Sequence, residues 1–320
     1  MSSQTMDSTH VPPLVSILIP VYNREKFIAE CLQSALEQTY QHIEIIVVDN
    51  ASTDSTWQIC QEFAIRDPHI RIFQNETNIG PVRNWIRCAQ EARGEFSKLL
   101  FSDDLLEPDC IRCMIKRIHT DVAFVVCTAR VGESRSTAQI YYAQNEPLLT
   151  WREYLPRQLD WRLPVSPGAV LLRTEDLLKN LRSAIPTRIP RSFDRNGAGP
   201  DAMIMLLTAH SYKYVACVSE PQVFFRSHPG SFTTSIARST LRDFYTSAFS
   251  YFVKQNGPWI QWLQYVSLSW LAQVLQNRSW KSFRRHLRDH EGAGSITEML
   301  TAALLAPLWV AGSAWARYRR

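Results

Sequence analysis

Between Val15 and Asp104 four short apolar runs alternate with three amphipathic stretches, and this alternation restricts the fold more than any other feature. VSILIPVYN reads as a buried strand, after which Phe27, Ile28, Cys31, Leu32, Ala35 and Leu36 recur at helical spacing. IEIIVVDN is a second strand, ending at Asp49, and Ser52 and Asp54 of DNASTD are caps for a second helix carrying Trp57, Ile59, Cys60 and Phe63. A third strand, IRIFQN, runs into NETNIGPVRNW and a third helix, which Gly94 is expected to terminate before the strand leading to Asp103. The order βαβαβαβ predicts an α/β fold: a mainly parallel sheet with helices on both faces and functional loops along the carboxyl edge of its strands.

Those loops carry Tyr22 and Asn23, then Asp49, then Asn78, Gly80, Arg83 and Asn84, and finally the paired carboxylates Asp103 and Asp104, with Pro108 opening the next helix. An acidic pair at a strand end can hold a divalent cation against a phosphate-bearing substrate, and it is also a common turn device. The motifs in their order resemble the family 2 glycosyltransferases, nucleotide-sugar enzymes with the Rossmann-like GT-A fold. PVYN is similar to the family's opening motif, VVDNASTD to VVDDGSTD, NIGPVRN to NxGxxxARN, and SDDLLEP to DxDD with its trailing proline. Further on, RSHPGS is similar to yRxHpgS, so the resemblance covers about residues 14–232.

The resemblance implies a donor site in which Tyr22 packs against a uracil-like ring and Asp49 accepts a hydrogen bond from its N3. Arg83 forks onto phosphate oxygens from a turn tightened by Gly80 and Pro81. Pro20, Asn23, Asn78 and Ser102 complete the donor contacts, with Arg226 as a second phosphate-binding cation. Asp103, Asp104 and His228 are the candidate ligands of Mg²⁺ or Mn²⁺, which would act as a Lewis acid for the departing nucleoside diphosphate. Asn84 and Asp54 read as structural, the first bonding backbone and the second capping a helix. Two departures stand out: Asn50 replaces a usual acid, and Phe101 replaces the first carboxylate of DxD, which predicts a weaker metal site.

The second half is expected to hold the acceptor and the general base. VAFVVCTAR and PVSPGAVLLR read as strands, and TEDLLKNL as a helix starting at Thr174. The family places its base at a helix start, and here that position is Asp201, which follows a loop holding Gly197, Gly199 and Pro200, without the companion acid. Asp194 is the reserve. YKYVACVSEPQVFFRSHPGS reads as two strands meeting at Pro221. The QxxRW motif of processive relatives is not matched by QNRSW at 276–280, which favours single-sugar transfer.

With a net charge of only +5 and no nucleic-acid motif, a nucleic-acid partner is not expected. The seven cysteines are odd in number and fall mostly on apolar faces, so they read as reduced core residues in a cytoplasmic setting; Cys110 and Cys113 form a lone CxxC within a helix, poor grounds for zinc. MSSQTMDSTHVPP lacks the apolar core of a signal peptide and predicts a disordered segment over 1–13. The expected layout is a GT-A domain over 14–232, with a nucleotide-binding half at 14–110 and an acceptor half at 111–232, then a helical region over 233–320. Its uncharged run from Met299 to Ala316, followed by RYRR, reads as a helix lying on the inner face of the cell membrane rather than spanning it.

The whole predicts an inverting transferase moving one sugar from a UDP-linked donor to a saccharide or lipid-linked acceptor in surface-polysaccharide or glycolipid synthesis. A catalytically weak binding module is the alternative. A nucleotidyltransferase is disfavoured because PVYNREKF lacks a glycine-rich phosphate loop.

Overall fold

The computed structural model describes residues 11–143, 145–188, 191–231, 236–277, 282–292 and 294–318, which leaves most of the 1–13 segment and most of QNRSW outside the described residues. In chain order the elements are β1 (Val15–Val21), α1 (Ile28–Leu36), β2 (Ile43–Asp49), α2 (Thr56–Arg66), β3 (Ile70–Gln74), α3 (Pro81–Glu91), β4 (Phe96–Leu99), β5 (Leu105–Leu106), α4 (Cys110–Ile115) and β6 (Val122–Gly132). They continue as β7 (Gln139–Tyr141), β8 (Leu148–Thr150), α5 (Trp151–Leu159), β9 (Val170–Arg173), α6 (Thr174–Asn180), α7 (Phe193–Asn196), α8 (Pro200–His210) and β10 (Tyr214–Arg226). Four further helices follow: α9 (Arg238–Asn256), α10 (Trp259–Asn277), α11 (Phe283–Asp289) and α12 (Ile296–Tyr318). The chain divides into one unit of Met1–Asn180 with Thr208–His228 and another of Leu181–Leu207 with Pro229–Arg320.

In the first unit the described strands form a ten-stranded sheet in the order β3-β2-β1-β4-β9-β6-β10-β5, with β7 on β6 and β8 on β10. β3, β2, β1 and β4 are mutually parallel, as the alternation predicts. Beyond β4 the sheet is mixed: β9 runs antiparallel to both β4 and β6, while β6 and β10 are parallel. Every residue of β1 and β2 is buried, because helices rather than solvent cover these strands, and Ile28, Cys31, Leu32 and Ala35 of α1 belong to the same core. The chain turns from β1 to β2 and β3 on one side and to β4 on the other, so the crevice of the parallel half lies at the carboxyl ends of β1 and β4.

Local chemistry departs from the sequence reading in places. Ser52 does not cap α2. The Thr56 N–H donates instead to Asp54 at 3.0 Å. Gly94 does not end α3, which stops at Glu91; its missing side chain lets the backbone pass Ser16, whose N would lie 2.7 Å from a Cβ there. The two runs flanking Pro221 are one strand, β10, with register shifts on both sides of the proline, whose absent N–H cannot join the ladder. All seven cysteines are free thiols, and all but Cys113 are buried.

The second unit is helical. Phe244, Ala248, Phe249 and Phe252 of α9 share its core with Trp262, Leu263 and Val266 of α10, and the Trp262 indole donates to Ser250 at 2.9 Å. On α12 the apolar side chains Ile296, Leu300, Leu304 and Leu308 are exposed at four-residue spacing. Among the described residues no helix is long and apolar enough to cross a membrane.

Candidate functional site

The loop after β1 is laced to the loop after β2. Ser52 accepts from the Asn23 N–H at 2.9 Å, Thr56 Oγ1 from the Arg24 N–H at 2.7 Å, and the Asn23 side chain accepts from the Thr53 N–H at 2.8 Å. Asn23 holds a left-handed φ of 50°, and Tyr22, just past the buried strand that contains Pro20, is 40% exposed. The register sets Val21 beside Asp49, whose carboxylate is fully buried and accepts from the Ser52 N–H at 3.0 Å, the Ser52 hydroxyl and Gln74 at 3.1 Å. Asp49 thus organises the loop beside Tyr22, and with three bonds made its carboxylate keeps acceptor capacity on Oδ1.

Asn50 explains itself once its partners are seen. Its amide donates to Asn78 Oδ1 at 2.9 Å while its oxygen accepts from Asn75 at 2.9 Å and from the Ile79 N–H at 3.0 Å. A carboxylate could not donate, so asparagine suits this position. Asn78 Oδ1 also takes the Gly80 N–H at 2.9 Å, Gly80 adopts a φ of 86° that favours glycine, and Pro81 starts α3. Asn84 is structural as read, donating to Val48 O at 2.9 Å. Arg83 is exposed in the first turn of α3 and makes no ion pair among the described residues.

The acidic pair splits into two roles. Asp103 Oδ2 lies 3.0 Å from His228 Nε2 and 3.4 Å from Arg24 Nε, with the His228 ring against Phe27 at 4.5 Å. Asp104 turns inward, is buried, and accepts the Arg226 N–H at 2.9 Å. Burial pushes its carboxyl well above the ordinary range, and the neighbouring charge of Asp103 adds to the effect. The Arg226 side chain pairs with Glu30 at 2.5 Å and lies over the Phe27 ring at 5.1 Å. Ser102 is buried in the turn from Phe101 to Asp104, and Phe101, in place of the family's first carboxylate, packs on Trp85 at 5.3 Å.

Asp103 and His228 fit a small divalent cation. Adjacent ligands on an octahedral Mg²⁺ or Mn²⁺ lie about 3 Å apart, and such ions commonly take only one or two protein groups beside phosphate and water. Among the described residues no group of three or more His, Cys, Asp or Glu gathers to hold a metal without such help. Asp104, inward and hydrogen-bonded to backbone, supports the loop instead.

In the second unit Asp201 opens α8. Its Oδ1 accepts the N–H groups of Gly199 at 2.8 Å and Ala202 at 2.7 Å, and its Oδ2 accepts the Tyr245 hydroxyl at 2.5 Å. Burial raises its pKa to about 7, against the lowering pull of Tyr245 and those N–H groups. Asp194 is half-buried in the short α7.

Two groups escaped the sequence reading. Arg24 follows PVYN as the first cation of the loop, a position that could have drawn notice. Lys98 is fully buried in β4, its Nζ donating to Leu99 O at 3.1 Å and to Gly168 O, and only its place as a charged residue within a short buried strand signals it.

The profile described as Glycosyl transferase family 2 matches residues 16–182. Glycosyltransferase GlyG of Streptococcus pneumoniae serotype 4 is 31% identical over 172 residues, 52% of this chain and 56% of that protein. Chondroitin synthase of Escherichia coli is 39% identical over 112 residues, 35% of this chain and 16% of that protein. The chain thus spans about half of the first relative's length and a small part of the second's. S. aureus TarS 1-349 solved in complex with UDP-GlcNAc superposes with a TM-score of 0.65 at 17% identity, covering 86% of this chain and 81% of that one. This likeness shows the GT-A fold.

Proposed function

The chain belongs to glycosyl transferase family 2, and from that premise we propose that it moves a single sugar from a UDP-sugar to an acceptor hydroxyl with inversion at the anomeric carbon. The observation that carries this reading is the meeting of Asp103, His228 and Arg24, supplied by three separated segments, at the carboxyl edge of the sheet. The UDP-GlcNAc complex of TarS supports a uracil nucleotide, for which Tyr22 offers an exposed ring and Asp49 an acceptor.

Asp103 and His228 would hold Mg²⁺ or Mn²⁺, which when bound supplies Lewis acidity to the departing diphosphate. Asn78, Arg83 and Arg226 would contact the donor, and Arg83, which is exposed, would supply a cation for phosphate oxygens. Asp201 takes the acceptor hydroxyl proton as that oxygen attacks the anomeric carbon, and a pKa near 7 suits a base that must be ionised yet still basic. One displacement inverts the centre and releases UDP.

The acceptor is a saccharide or a lipid-linked glycan of surface-polysaccharide or glycolipid synthesis, reached by peripheral contact of α12 with the inner face of the membrane. Its exposed row of Ile296, Leu300, Leu304 and Leu308 supports that contact. UDP release from a panel of UDP-, GDP- and dTDP-sugars, with glycan and glycolipid acceptors, tests the reading. Acceptor-dependent UDP release is expected. Donor binding without turnover on any acceptor would mark the chain as a binding module.

A further inference from the structure

The acid of the site already has a positive partner within the chain. Arg24 Nε lies 3.4 Å from Asp103 Oδ2, the same oxygen that faces His228 Nε2 at 3.0 Å. The other edge of the guanidinium is tethered: its NH1 donates to Asn23 O at 3.1 Å and Tyr22 O at 3.4 Å, while the Arg24 backbone N–H is fixed on Thr56. Such a tether holds the charge at the end of β1, beside the residues assigned to the donor.

We propose that Arg24 is an exchangeable counter-ion. It holds Asp103 while no cation is bound, yields Oδ2 to the incoming divalent cation, and then turns its fork to a phosphate oxygen of the donor. This rests on the reading of Asp103 and His228 as cation ligands.

The physical need arises from what surrounds Asp103. Its side chain is only 16% exposed, so its carboxylate has lost much of its hydration and calls for a cationic partner. Phe101 leaves no second acid at the outer position, and Asp104 is buried on the Arg226 N–H. A guanidinium and a divalent cation cannot both sit on one carboxylate oxygen without strong like-charge repulsion. Cation binding alone therefore requires Arg24 to leave without a new partner. When a diphosphate is present the displaced guanidinium gains a planar acceptor that matches its geometry. Arg24 thereby makes cation and diphosphate bind cooperatively, each favouring the other by the same factor.

Mn²⁺ binding, followed by the loss of the free-ion paramagnetic resonance signal, tests this without any turnover, on the wild-type chain and on Arg24→Gln, Arg24→Lys and Asp103→Asn, each checked by thermal melting. Arg24→Gln should bind Mn²⁺ alone roughly tenfold more tightly than wild type, because a competing charge is gone. Added UDP should tighten Mn²⁺ in the wild type and do so about tenfold less in Arg24→Gln. Arg24→Lys keeps the charge and should stay near wild type. Unchanged or weaker Mn²⁺ binding by Arg24→Gln, or identical behaviour of the glutamine and lysine variants, would overturn the counter-ion role and leave the cation site standing. Failure of Asp103→Asn to abolish Mn²⁺ binding would overturn the site itself, and the role of Arg24 with it.

Discussion

His228 Nε2 stands 3.0 Å from Asp103 Oδ2, although the two residues are 125 positions apart in the chain. β10 makes the meeting possible: it returns beside β6, pairs with β5 just after the acidic turn, and ends with the Arg226 N–H on Asp104. The bond to Asp104 fixes where the strand stops, and His228 follows within reach of the neighbouring acid.

The two aspartates should therefore separate by mutation. Asp103→Asn is expected to weaken Mn²⁺-supported UDP binding by about tenfold or more, since it removes the charged ligand. Asp104→Asn should change it less than about threefold, because asparagine resembles the neutral acid that burial already favours and can still accept the Arg226 N–H. Calorimetric titration of both variants checks this, and the reverse order would exchange their roles.

Asp49→Ala removes the acceptor from the base pocket and frees Ser52 and Gln74. UDP affinity should fall by about 1–3 kcal/mol through the lost charged hydrogen bond. Fluorescence or calorimetric titration with UDP gives the number, and unchanged affinity would confine Asp49 to holding its loop.

Asp201 predicts a pH dependence of defined sign. Its carboxyl ionises at an ordinary 3.8 in the unfolded chain and at about 7 when folded. Between those values the folded chain holds the extra proton, so this group's stabilising effect is complete below the lower value, declines as pH rises and is gone above the upper one. Asp201→Asn should flatten that decline, which is worth no more than about 4 kcal/mol. Transfer moves the opposite way, rising with pH through about 7 as the base ionises. Asp201→Asn should cut transfer about a hundred-fold or more while donor binding survives. A variant that transfers at the wild-type rate would pass the role to Asp194.

Tyr245→Phe offers a finer check on the same group. Removing the hydroxyl that donates to Asp201 Oδ2 takes away the largest influence that lowers its pKa. The rising limb of the pH–rate profile should shift to higher pH, and an unmoved limb would mean that another group titrates.

Deleting residues 295–320 takes away the row from Ile296 to Leu308 and the following basic residues. Binding to vesicles containing anionic lipid should be lost while UDP binding remains, as judged by co-sedimentation and titration. Wild-type protein that ignores such vesicles would dismiss the membrane contact.

The sequence by itself determined the parallel half of the sheet, because strand and helix periodicities are local and each loop between them carries its own motif. Tyr22, Asp49, Asn78 and Asp103 were legible for the same reason, each lying at or just beyond the end of an apolar run. Tertiary structure alone decided which acid faces outward, since Asp103 and Asp104 are adjacent and chemically identical until β10 places a backbone N–H on one and an imidazole on the other. It also decided the partners of Asn50, Arg24 and Lys98, whose contacts join segments far apart in the chain, and the single course of β10 through Pro221. Spacing along a chain encodes what a residue's own element requires, whereas a hydrogen bond across elements exists only after the sheet has brought them together.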